Sequence, residues 1–116
     1  MAPPSKLAVA TSSLVRLVKE EASYHKEMAQ QEARIKKLEG DSTDENAEYQ
    51  LRQERQGLEE TKNVLPSMQQ KIQEALARLE QELESNKDSG GEQDSEQVTK
   101  ANNAVSDAKK VISEGS

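Results

Sequence analysis

Five large aliphatic residues, Leu51, Leu58, Leu65, Ile72 and Leu79, recur at intervals of seven along a single stretch of the chain. Two α-helical turns take about seven residues, so this recurrence puts all five on one stripe of a helix. Ala47, Met68, Ala75, Leu76 and Leu83 fill neighbouring positions of the stripe. The pattern predicts one long helix over residues 44–84, and a helix that is apolar on one side needs partner helices to cover it. Pro66 interrupts it chemically, since proline removes one backbone donor and crowds the carbonyl of Lys62. The sevenfold phase nevertheless passes from Leu65 to Ile72 without insertion or deletion, which predicts a kink in one helix over a break.

An earlier stretch shows the same order. Leu14, Leu17, Glu21, Tyr24, Met28, Gln31, Ile35 and Leu38 follow alternating steps of three and four, which share one helical face. This predicts a first helix over 14–39, with Ser12 or Ser13 as N-cap and Gly40 as its stop. Asp41-Ser42-Thr43-Asp44 then offers caps for the next helix, with Ser42 and Glu45 spaced as a capping box. Residues 85–95, with Gly90-Gly91 in a polar acidic run, read as a loop. Val98, Ala101, Val105, Ala108 and Ile112 predict a third, weaker helix over 95–113, dependent on packing because its side chains are small. Residues 1–12, with two prolines and no sustained period, read as a flexible lead-in, and residues 114–116 as a tail. The expectation is all-α: an elongated antiparallel three-helix bundle over 13–113, coiled-coil-like, with the long second helix kinked at Pro66.

Composition agrees with a narrow apolar seam and with little else. Leu, Ile, Val and Phe together make up 20 of 116 residues, and Phe, Trp and Cys are absent. Such a chain cannot build a thick core, but a seam requires only about two apolar residues in seven. The absence of cysteine suits a reducing compartment, and the N-terminal sequence lacks the apolar run of a signal peptide. Cytoplasmic residence is expected, and no segment reads as a membrane span.

The inventory for catalysis is poor. His25 is the only histidine and sits off the apolar stripe. Glu21 and His25 are spaced to share a metal, yet nothing nearby in sequence completes a ligand set, so no cofactor or metal is expected. Gly90-Gly91 lacks the Lys-Ser/Thr of a phosphate loop. An acidic chain nearly without aromatics is also a poor nucleic-acid binder.

Charge is unevenly distributed. Residues 1–39 hold seven basic and five acidic side chains, residues 40–83 five and ten, and residues 84–116 four and seven, within a formal net charge of −6. Arg16, Lys19, Lys26, Arg34 and Lys37 fall in one sector of the first helix, opposite its apolar stripe. Such a stripe either solvates the outer face of a bundle or steers an acidic protein partner.

With the helices placed, the segment from Leu14 to Glu84 resembles the tubulin-binding cofactor A family, also called tubulin-specific chaperone A. The resemblance rests on Leu14-Val15-Arg16-Leu17-Val18-Lys19-Glu20, Tyr24-His25-Lys26-Glu27 and Gln30-Gln31-Glu32 through Ile35, then Leu58-Glu59-Glu60-Thr61, Val64-Leu65-Pro66 and the stretch from Leu76 to Leu83. It implies a monomeric, cytoskeleton-associated tubulin-folding cofactor. Such a protein binds and holds quasi-native β-tubulin released from the cytosolic chaperonin on the way to αβ-heterodimers, without catalysis, and other tubulin-folding cofactors are further expected partners. Within the matching segment the nominated partner-binding residues are Arg16, Lys19, Glu20 and Lys26, with Glu59, Glu60 and Lys62 ahead of the proline; Arg34 and Lys37 join them from the helical wheel alone. A spectrin-like or coiled-coil spacer explains the heptads too, although spectrin-type repeats generally carry a tryptophan that this chain lacks.

Overall fold

In a computed structural model, residues 5–40, 45–88 and 95–115 are described, and all but Ser5 are helical. The helices are α1 (Lys6–Gly40), α2 (Glu45–Asp88) and α3 (Ser95–Gly115). The chain divides into two compact units, one made of Met1–Glu20 with Met68–Ser116 and the other of Glu21–Ser67.

The first unit packs three helical segments around an apolar cluster. Leu7, Ala10 and Leu14 come from α1, Ile72, Leu76 and Leu79 from α2, and Ala101, Ala104 and Ala108 from α3. The four largest fully buried side chains, Leu7, Leu14, Ile72 and Leu79, all belong to α1 and α2. Here α3 contributes alanines at steps of three and four, so its backbone approaches closely and the larger neighbours fill the space between helices. Direction follows from two pairs. Ser5 at the start of α1 donates from Oγ to Gln97 Oε1 in the first turns of α3 at 3.1 Å, so these two segments run parallel. Lys109, late in α3, pairs with Glu80 of α2 at 3.4 Å, which fits an antiparallel α2.

The second unit is a two-helix hairpin. Arg34 faces Glu54, and Gln31 faces Gly57, so positions advance along one helix as they recede along the other. Two helices cannot enclose a seam. Ala47 is the one buried hydrophobic residue of this unit among the described residues, while Tyr24, Met28, Ile35, Leu38, Leu51, Leu58, Val64 and Leu65 are half-buried. Glu21, Gln31 and Thr61 are buried with them, and the Thr61 hydroxyl donates to the Gly57 carbonyl at 2.9 Å.

Several expected boundaries are corrected. The lead-in expected over residues 1–12 is helical from Lys6 onward, because Leu7 and Ala10 continue the three-four steps of Leu14 backward into the core. Ser12 and Ser13 lie inside α1 and cap nothing. The N-cap is Ser5, whose Oγ accepts from the Ala8 N–H at 3.1 Å while its carbonyl accepts from the Val9 N–H at 3.0 Å. Gly40 is still helical, as the last residue of α1, and α2 continues past residue 84 to Asp88, with Asn86 buried. Glu114 and Gly115, expected in the tail, close α3. The Asp41–Asp44 caps and the Gly90-Gly91 turn fall outside the described residues. At Pro66 α2 stays helical, with the proline itself exposed.

Candidate functional site

Each nominated residue emerges on a helix surface. In the three-helix unit Arg16, Lys19 and Glu20 are exposed on α1; in the hairpin unit Lys26, Arg34 and Lys37 on α1 and Glu59, Glu60 and Lys62 on α2 are exposed. Their outward direction follows from the register of the buried face. With Leu14 and Glu21 turned inward, positions 16, 19 and 20 turn to solvent.

They are not equivalent. Arg34 Nε donates to Glu54 Oε1 at 2.8 Å across the hairpin, so its charge is already partnered. Arg55 and Glu39 make a second cross-helix pair at 2.8 Å. Lys37 lies in the last turn of α1, where a cation favours the helix dipole. His25, half-exposed, sits 3.1 Å from the buried carboxylate of Glu21, one turn away on the same helix. The two residues spaced for a shared metal thus contact each other directly.

In the three-helix unit Arg16 and Lys19 meet α3. They line a groove of roughly 500 Å³ together with Thr11, Ser12 and Val15 of α1 and Lys100, Asn103, Ala104 and Asp107 of α3. Arg16 also borders a smaller groove of roughly 290 Å³ against α2, shared with Leu17, Lys71, Glu74 and Arg78. The contribution of α3 is what sequence reasoning missed. The signal was available: Lys100, Asn103 and Asp107 stand at steps of three and four, each one residue before a buried alanine, and therefore edge the packed face. These grooves offer cationic and amide donors over small apolar surface, which suits recognition of a polypeptide.

The fold and this surface define an all-α protein of three helices, α2 running against the other two, whose candidate sites are shallow, charged grooves between helices. The family model for "Tubulin binding cofactor A" matches residues 2–105. Tubulin-specific chaperone A of Saccharomyces cerevisiae is 33% identical over 94% of this chain and 95% of its own length. The human protein of the same name is 30% identical over 72% of this chain and 74% of its own. The crystal structure of tubulin folding cofactor A from Arabidopsis thaliana superposes with a TM-score of 0.76 at 28% identity, covering 90% of this chain and 92% of that one. The chain belongs to the tubulin binding cofactor A family. No helix among the described residues is long and apolar enough to cross a membrane.

Proposed function

We propose that this chain is a cytoplasmic tubulin-folding cofactor that binds β-tubulin monomers after their release from the chaperonin and holds them for αβ-heterodimer assembly. The observation that carries this reading is the family match over residues 2–105. The exposed charged faces of α1 and α2 support it, because reversible capture of a protein surface relies on rim charges for speed and selectivity. The role is binding and handover rather than catalysis, and the working unit is a monomer. The same match favours a cofactor over the spacer alternative.

Size exclusion with in-line light scattering tests it, on the chain alone and then mixed with dissociating tubulin. The expected result is a monomer near 12.9 kDa that takes up β-tubulin and leaves α-tubulin free. A stable dimer that ignores both subunits overturns it.

A further inference from the structure

We propose that the groove between α1 and α3 in the three-helix unit is a docking site for an acidic polypeptide segment bearing a small aliphatic side chain. The apolar residue would rest on Val15 and Ala104, with its carboxylates against Arg16, Lys19 and Lys100. As a seat for the captured partner this rests on the proposed function; as a peptide site it stands on the groove itself.

Charge selects the occupant. Three cations and one carboxylate, Asp107, line this groove in a chain whose net charge is −6. The local sign therefore opposes that of the whole molecule, and it favours an anionic segment. Lys100 is available to it: its contact with Glu96 is 3.7 Å long between side chains 67% and 72% exposed, a pair that an incoming carboxylate displaces at little cost. Asn103 adds an amide donor to the same lining.

The floor selects a polypeptide over other anions. Val15 is 37% exposed, one of three large hydrophobic side chains left open among the described residues, and Ala104 beside it is buried and small. That is an apolar seat for an aliphatic side chain and no place for a stacked base, since both tyrosines lie outside the three-helix unit.

The test titrates the full ¹⁵N-labelled chain with a blocked Glu-Glu-Val-Glu-Glu peptide, and with Glu-Glu-Ser-Glu-Glu as control. Amide shifts are expected to concentrate at residues 11–19 and 100–107. Lys100→Glu should weaken the valine peptide about fivefold or more, whereas Lys110→Glu, exposed on α3 but outside the groove, should change it less than about twofold. Circular dichroism on both variants should match the wild type, since both lysines are exposed. Shifts scattered over all lysines, equal losses in the two variants, or equal binding of the serine peptide overturn the proposal. Tubulin co-elution of Lys100→Glu separates the two readings. Groove binding without any tubulin uptake by the wild type overturns the proposed function and leaves the peptide site standing. Undiminished uptake by Lys100→Glu overturns the groove as the partner's seat and leaves the function standing.

Discussion

The side-chain amide of Gln31 on α1 lies over Gly57 of α2, its Nε2 3.1 Å from where a Cβ at position 57 would stand. Gln31 is 6% exposed and its Oε1 is buried with no hydrogen-bond partner among the described residues. The missing side chain at Gly57 is thus what admits a polar group into the hairpin seam.

Gly57→Ala sets two effects against each other. Alanine raises helix propensity by about 1 kcal/mol, while its methyl pushes the Gln31 amide back by a few tenths of an ångström. In a Gln31→Ala background the opposition disappears. Gly57→Ala should therefore stabilise the double variant more than it stabilises the wild type, by about 0.5 kcal/mol or more in urea titration. Equal effects in the two backgrounds would mean that the amide moves freely.

Core deletions should differ between the units. Leu7 is 2% exposed within the three-helix cluster, so Leu7→Ala should cost about 2–5 kcal/mol. By heptad position alone Leu58→Ala would be expected to cost as much; Leu58 is only half-buried, and about 1–2 kcal/mol is expected instead. Chemical denaturation of the two variants checks the order.

Ser5 joins two helices through one hydroxyl, accepting from the Ala8 N–H and donating to Gln97. Ser5→Ala should destabilise by about 0.5–2 kcal/mol, and Ser5→Gly by less if capping dominates. Amide exchange should show the loss first in the opening turns of α1 and α3.

Within the nominated basic stripe, Lys26 and Arg34 should not count equally toward tubulin capture. Arg34 is neutralised by Glu54 at 2.8 Å, while no ion pair is found for Lys26 among the described contacts. Lys26→Ala should weaken capture about threefold or more, and Arg34→Ala less than about twofold. The Arg34–Glu54 pair itself should contribute about 0.2–1 kcal/mol in a double-mutant cycle, falling with salt. Simultaneous reversal of Arg16, Lys19 and Lys26 to Glu should weaken capture most while leaving helicity unchanged.

Helix number and face were legible because a helical repeat writes itself into local spacing. The steps through Leu14, Glu21 and Gln31 correctly place even two polar residues on the buried side. The start of α1 is not legible in the same way, because two prolines near the N-terminus mask the continuation of the same steps through Leu7 and Ala10. The candidate site was half legible. Arg16 and Lys19 stand out on a helical wheel, but their neighbours on α3 belong to another part of the chain, and no spacing rule links position 16 to position 100.

Local spacing along the chain sets the three helices, the position of their apolar faces and the charges that face outward, since each depends on residues within a few turns of one another. Packing between distant segments is what divides the heptads of α2 between a closed three-helix core and an open hairpin, binds Arg34 to Glu54, and lets α3 complete a basic groove with α1. Those outcomes depend on which segments meet. Contact between residues far apart in the chain follows from the packing of whole faces, with alanines on α3 letting large side chains from two other helices close the core.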